Sequence, residues 1–136
     1  MYLVEDLVRR YGEALGLELI AGKEGVRRRI RVPEAHRPGL GLTGYLKGHA
    51  GKRIIILGKI EVEYLRELDE EERIKRLRAI LMVMTPAVIV ARRYRPPKGL
   101  VTLCEELNIP LFRASMTTMN LLSKLTLLLT EELLRV

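Results

Sequence analysis

Three short apolar runs constrain the fold of this chain more than any other feature of its sequence. The runs "RIIILG", "AVIVA" and "PLFRA" begin at Arg53, Ala87 and Pro110. Four consecutive apolar residues, as in the first run, suit a strand that is covered on both faces of its sheet. Segments with helical periodicity separate the runs. This alternation predicts parallel strands joined by right-handed crossovers, and hence a three-layer α/β sandwich with a mostly parallel sheet.

Periodicity and capping residues place the first helices. Residues 3–15, "LVEDLVRRYGEAL", put an apolar stripe on one helical face, and "EVEYLREL" has a helical pattern as well. Asp69 then caps "DEEERIKRLRAILMVM", whose acids lie in the first turn and whose bases come later, as the helix dipole favours. The apolar stripe of this helix extends to Met84, and Thr85-Pro86 is expected to end it.

Turn residues and further caps place the remaining elements. "LELIAG" is a short strand candidate closed by Gly22, and "RPGLGLTG" is expected to be a loop because it is rich in Gly and Pro. "PPKGLVTLCEELN" predicts a helix with Pro97 near its start and Asn108 near its end. Thr117 or Thr118 opens a last helix that runs toward the end of the sequence.

The charge balance favours anionic partners. The chain has 24 Lys and Arg against 17 Asp and Glu, a formal net charge of +7. Such a balance attracts nucleotides, phosphosugars, acidic protein faces or nucleic acid, and it also keeps a protein in solution without any partner. No aromatic platform alternates with the bases, as single-strand binders require, which argues against nucleic acid. At 136 residues, positions 1–136 fit one domain.

Cysteine usage and hydropathy indicate a reduced compartment. Cys104 is the only cysteine, so neither a disulfide framework nor a set of zinc ligands is present. The start, "MYLVEDLVRR", lacks the basic and apolar regions of a signal peptide. The longest apolar stretch is too short to span a membrane and contains Thr85 and Pro86. We therefore expect a cytoplasmic protein without a membrane partner, and many Arg and Glu with no Gln fit a thermophilic source.

Basic and polar residues follow two of the predicted strands. Arg92, Arg93 and Arg95 come directly after "AVIVA", while Arg113 and Ser115 close the run "PLFRA". Ligands of open parallel sheets bind at the carboxyl ends of the strands, and a helix N-terminus can offer N–H groups to an anion. These five residues are the predicted phosphate contacts. The alternatives are surface charge on a loop and ordinary helix capping.

Other reactive side chains lack the partners that catalysis or metal binding needs. His36 and His49 have no carboxylate or nucleophile at a useful spacing, and Cys104 lies mid-helix as a core residue would. We therefore predict no catalytic residue and no metal site. A second basic group could hold phosphates or form a solvated turn: Arg27, Arg28, Arg29 and Arg31.

The segment from Leu46 to Arg53 approaches the pattern of a phosphate-binding loop but does not meet it. Gly51 and Lys52 fit, whereas Leu46 stands in place of the first glycine and Arg53 in place of the magnesium-binding hydroxyl. A strand follows, where such a loop would open a helix. We therefore predict that this segment does not bind a nucleoside triphosphate.

Several segments together resemble the amino-terminal domain of HPr(Ser) kinase/phosphorylase. They are "GVRRRIRVPEAHRPGLGLTGY", "RIIILGKIEVEYL" and "TPAVIVARRYRPPKGLVTLCEELNIPLFRASMTT", in order and over nearly the whole chain. The pieces that carry the resemblance are Arg37-Pro38-Gly39-Leu40, Leu57-Gly58-Lys59, Pro86 with "VIV", Pro96-Pro97 and Ile109-Pro110-Leu111.

The resemblance implies a fold and a biological setting. Enzymes of that family have two domains, form hexamers and reversibly phosphorylate a serine of HPr, a carrier protein of bacterial sugar uptake. Their catalytic chemistry, with ATP and magnesium, belongs to the carboxyl-terminal domain, none of whose motifs matches this sequence. The amino-terminal domain is an α/β unit similar to the UDP-binding domain of Mur ligases, and regulation and assembly are its suggested roles.

Three hypotheses for the function follow. The first is a non-catalytic domain for regulation, assembly or ligand sensing in bacterial carbon metabolism. Its partners would be its own kinase domain, HPr, a small anionic ligand or a second copy. The second is a free-standing nucleotide or phosphosugar module that uses Arg92, Arg93 and Arg95. The third, a small enzyme, is the weakest, because no acid–base pair is present. Both a domain within a longer protein and a stand-alone chain fit the residues.

Overall fold

A five-stranded sheet organises the chain. The computed structural model describes residues 1–44 and 51–134. Spatial neighbours follow the order β1-β5-β4-β3-β2, in which β1 is antiparallel to β5 and every other pair is parallel. This confirms the predicted α/β class with a mostly parallel sheet. The strands are β1 (Glu18–Ala21), β2 (Ala35–His36), β3 (Ile54–Leu57), β4 (Val88–Val90) and β5 (Leu111–Arg113).

Helices connect the strands in the expected alternation. A short 3₁₀ turn, Lys23–Gly25, follows β1. No helix within the described ranges is long and apolar enough to cross a membrane. The helices are α1 (Val4–Tyr11), α2 (Gly39–Leu42), α3 (Lys59–Glu67), α4 (Glu70–Ile80), α5 (Leu100–Leu107) and α6 (Thr118–Leu133).

The central strands are buried on both faces, which gives the molecule three layers. Each residue of β3 is at most 1% exposed. On one face, Ile55 and Val88 pack with residues of α3, α4 and α5. On the other face, Ile56 and Phe112 pack with residues of α1 and α6. Alternate strand residues point to opposite faces, so the continuous apolar runs follow directly from this double coverage.

The helix capped by Asp69 ends earlier than predicted. The Asp69 carboxylate accepts the Glu72 N–H at 2.8 Å, as expected, but α4 ends at Ile80 instead of at Thr85-Pro86. The following turn is closed by the Thr85 hydroxyl, which accepts the Met82 N–H at 2.9 Å. Met84, predicted to lie on the apolar stripe, is therefore outside the helix and 38% exposed.

Further elements differ from the prediction. α1 ends at Tyr11, although the apolar stripe of residues 3–15 predicted a helix that extends to Leu15. "RPGLGLTG" was expected to be a loop, but α2 forms within it, and β2 precedes it. α5 begins at Leu100 and not near Pro97, because Gly99 adopts a left-handed backbone with φ of 91° that a helix interior does not allow. Asn108 ends α5 as predicted, with φ of 53°.

The sequence suggested that the basic group around Arg28 holds phosphates or forms a solvated turn. Arg28 instead contacts the backbone of other segments. Its guanidinium donates to four backbone carbonyls: those of Val83, Thr85, Leu107 and Asn108, at 2.6, 2.9, 2.9 and 2.7 Å. Burial lowers the pKa of this guanidinium. Arg28 thus holds the loop before β4 and the end of α5 against the amino-terminal segment.

Replacing Arg28 is expected to destabilise the fold. Arg28→Ala leaves four carbonyls without their charged donor, and we expect it to lower the free energy of unfolding by about 3 kcal/mol. The matched control is Arg27→Ala, since Arg27 is exposed, and its change should stay within about 0.5 kcal/mol. Urea unfolding of both variants measures the difference. Equal losses for the two variants would show that the carbonyl contacts of Arg28 do not stabilise the fold.

Cys104 is fully buried in the core and is expected to be unreactive. Burial raises the pKa of its thiol to about 12. At pH 8 the native protein should therefore react with a thiol reagent far more slowly than the urea-unfolded protein does. The stability that the neutral thiol contributes is present below its ordinary pKa of 9.0 and is lost as the pH rises toward 12. Rapid labelling of the native protein at pH 8 would contradict this environment.

Candidate functional site

The carboxyl ends of the parallel strands open into a cavity of about 420 Å³, which we call the strand-end pocket. Every residue that lines it directly follows a strand or begins a helix, which is where open α/β sheets bind ligands. One residue follows β2, two follow β3, one lies just after β4, and the others form the start of α6. The lining residues are Arg37, Lys59, Ile60, Arg92, Thr117, Thr118, Met119 and Asn120.

Three cationic side chains converge on the strand-end pocket. Lys59 and Arg92 are exposed, and neither forms an ion pair within residues 1–44 and 51–134. Arg37 is paired with Glu61, with 3.0 Å between Nη2 and Oε1. Two of the three charges are therefore free to meet an anion, and the third is shared with a carboxylate of the protein.

Glu61 fixes Arg37 in place. It is only 3% exposed, and its Oε1 accepts the Gly58 N–H at 2.7 Å as well as the Arg37 guanidinium. Gly58 is the N-cap of α3 and has no side chain, so Glu61 supplies the anion that a helix N-terminus favours. The result is a buried link between the segment after β2 and the start of α3.

Gly58 also allows the starts of α3 and α6 to touch. A Cβ atom at this position would overlap the Thr118 hydroxyl and approach Arg37 Nη2 to 3.1 Å. Thr118 is 7% exposed and Glu61 lies on the same side of the contact, so little room exists for adjustment. The close approach of two helix N-termini at the pocket thus depends on a residue without a side chain.

The start of α6 contributes backbone donors. Thr117 is the N-cap, and its hydroxyl accepts the Asn120 N–H at 3.2 Å, which confirms the predicted helix start. The first N–H groups of a helix have no acceptor within the helix, and the helix dipole adds partial positive charge there. An anion in the strand-end pocket would lie against this end of α6.

An unusual backbone turn presents Arg92 to the pocket. Arg92 and Arg93 both adopt left-handed conformations, with φ of 55° and 53°. This conformation costs a residue with a side chain about 1–2 kcal/mol. The Arg92 and Arg93 N–H groups donate to the carbonyls of Met116 and Ala114 at 2.9 and 2.8 Å, which holds the turn. Strain of this kind concentrates at functional sites.

The structure does not bring the five predicted phosphate contacts together. Arg92 lines the strand-end pocket, while Arg93 is exposed in the turn and is not among the lining residues. Arg113 forms an ion pair with Glu18 at 3.0 Å across β1 and β5, and Ser115 lies beside Gly16. Arg95 lines a different cavity of about 450 Å³, together with Arg66, Arg73, Pro96, Pro97 and Lys98.

The sequence indicated the start of α6 as a possible anion contact, but it did not predict that Arg37 and Lys59 join it in one site. Lys59 could have been found, because it follows "RIIILG" as Arg92 follows "AVIVA". Arg37 gave no such signal, since β2 is only two residues long and forms by pairing with β3. In the sequence, Arg37 stands out only as part of the family resemblance.

Two residues of the second basic group, Arg29 and Arg31, line a separate cavity of about 290 Å³ together with Glu132. His49 and most of the near-miss phosphate loop, from Leu46 to Ala50, lie outside the described residues. Gly51 to Arg53 lead directly into β3. Among residues 1–44 and 51–134, no group of three or more His, Cys, Asp and Glu side chains could hold a metal ion.

One comparison with known proteins identifies the family. The family model described as "HPr Serine kinase N terminus" matches residues 3–129 of this 136-residue chain. The match begins just before α1 and extends into the last turns of α6, so it includes every strand and all residues of the strand-end pocket. The resemblance found in the sequence is thereby confirmed, and the chain belongs to the family of HPr serine kinase amino-terminal domains.

Proposed function

We propose that this domain is a non-catalytic sensor that binds a small phosphorylated ligand and serves regulation in bacterial carbon metabolism. One observation carries the proposal. Of the described residues that line the strand-end pocket, three are cationic and none is a carboxylate. Side chains of like charge repel one another unless an anion lies between them, so this grouping favours an anionic occupant.

The three cations suit a phosphate group in different ways. The Arg92 guanidinium is a planar fork that can bind two phosphate oxygens, whereas the Lys59 ammonium acts as a compact point charge. The N–H groups at the start of α6 add donors that no side chain has to position. Arg37 would be shared between the ligand and Glu61, because the ion pair at 3.0 Å already orients it.

Apolar side chains at the rim extend the ligand class beyond free phosphate. Ile60 is 68% exposed and Met119 is 77% exposed, and both line the strand-end pocket beside the cations. Ligand pockets combine apolar surface with a few placed polar groups. A nucleotide or a phosphosugar, which has a ring attached to its phosphate, fits both parts.

Binding, and not turnover, is the role that these side chains support. The carboxylate next to the pocket, Glu61, is already committed to the Gly58 N–H and to Arg37. A general base needs a free carboxylate or imidazole within reach of the substrate proton. A bound ligand would instead join the starts of α3 and α6. α6 has 16 residues, so it could transmit that contact over about 24 Å.

A free-standing nucleotide or phosphosugar module remains the second hypothesis. It would use the same pocket. Of the three arginines predicted for this hypothesis, only Arg92 lines that pocket. Arg93 and Arg95 would not take part, because the first lies outside the pocket and the second lines another cavity.

Calorimetry with ATP, a UDP-sugar and fructose 1,6-bisphosphate tests the site. We expect at least one of them to bind, and Arg92→Ala or Lys59→Ala to weaken that binding roughly tenfold or more through a lost charge-assisted contact. The matched control is Arg95→Ala, which removes an exposed guanidinium from the separate cavity and should leave the affinity unchanged. Binding that depends on Arg95 but not on Arg92 would refute this location, and no binding of any of the three would refute the sensing role.

A further inference from the structure

One face of α6 is exposed to solvent and has no charged residue. Its buried face consists of Thr118, Leu121, Leu125 and Leu129. On the other side, Met119, Leu127 and Leu134 are 77%, 70% and 72% exposed. An open cavity of about 530 Å³ lies along this side. We call it the uncharged α6 face, and its residues are Met119, Leu122, Ser123, Thr126, Leu127, Thr130 and the C-cap residue Leu134.

The spacing on this face is that of a helix–helix contact. Single exposed leucines are ordinary on protein surfaces, but a row of uncharged residues along a whole helix is not. Ser123, Leu127, Thr130 and Leu134 follow one another at intervals of four, three and four residues. This is the seam repeat of paired helices, in which leucines alternate here with small hydroxyl residues that allow close approach.

Two charged residues flank the seam on the same edge. Lys124 and Glu131 are seven residues apart, so they lie on one side of the helix, and both are exposed. Neither forms a salt bridge within the described part of its own chain. The edge of the uncharged α6 face therefore has one free positive charge and, two turns later, one free negative charge.

We propose that the uncharged α6 face binds a second copy of this chain, with the two α6 helices antiparallel about a two-fold axis. In such a pair, residues on the same edge of the two helices face each other. Lys124 of one copy then meets Glu131 of the other, and the symmetry forms this contact twice. In a parallel pair the same edge of the two helices would lie on opposite sides of the interface, where Lys124 and Glu131 would face uncharged residues. Only the antiparallel arrangement therefore pairs these charges.

The same register also packs the apolar residues. With Lys124 level with Glu131 of the other copy, the axis passes between Leu127 and Leu128, and the two Leu127 side chains meet there. Leu134 of each copy comes level with the stretch between Met119 and Ser123 of the other. The small side chains at 123 and 130 leave room for these leucines. One register thus satisfies both the charges and the packing.

The dimer is expected to be weak. One pair of helices of this length buries on the order of 1,000 Å², at the low end of specific interfaces. We therefore expect a dissociation constant on the order of 10–100 μM, which would allow a ligand or another domain to shift the equilibrium. This contact does not depend on ligand binding in the strand-end pocket.

Charge reversal tests the register by sedimentation equilibrium. Lys124→Glu places two negative charges together at each contact, and Glu131→Lys places two positive charges together, so each variant alone should dimerise at least about tenfold more weakly than the unmodified chain. An equimolar mixture of the two variants makes every contact complementary again. We expect it to form a heterodimer as tight as the original dimer.

Matched controls carry the same charge changes elsewhere. Lys75→Glu on α4 and Glu63→Lys on α3 alter exposed side chains of other helices and should leave association unchanged. Circular dichroism verifies that every variant is folded. The proposal is overturned if the unmodified chain stays monomeric at about 0.5 mM, well above the expected dissociation constant. It is also overturned if the mixture associates no better than either variant alone.

Discussion

Burial of the central strands on both faces is the constraint on which the rest of the structure depends. β3 and β4 have no face that reaches solvent, so polar side chains can be placed only at the ends of these strands. Because β2 to β5 run parallel, their carboxyl ends meet at one edge of the sheet. Arg37, Lys59 and Arg92, far apart in the sequence, share one pocket for this reason.

The contact between the starts of α3 and α6 turns this edge into a site. Gly58 lets Thr118 approach, and Glu61 accepts hydrogen bonds both from the Gly58 N–H at the start of α3 and from the guanidinium of Arg37. The strained turn at Arg92 and Arg93 completes the wall from the side of β4. The pocket therefore rests on the packed ends of rigid elements, which hold its cations close together despite their repulsion.

Local signals in the sequence predicted the layers of the fold. The features that the sequence did not predict depend on contacts between residues that are far apart in the chain. The apolar runs of β3, β4 and β5 and the caps Asp69 and Thr117 are readable within a few residues. The role of Arg28 was not, because its carbonyl acceptors lie 55 to 80 residues later. Arg92 and Arg95 seemed one cluster in the sequence, but the left-handed turn sends them to different cavities.

Amide NMR spectra of the ¹⁵N-labelled domain, titrated with UDP, test most directly whether an anion binds where the strands end. We expect the largest shifts at the starts of α3 and α6, at Ile60, Met119 and Asn120, which line the strand-end pocket. Lys98 and Arg66, in the other basic cavity, should shift little. Shifts centred on Lys98 and Arg66, with none at the helix starts, would contradict anion binding in the strand-end pocket.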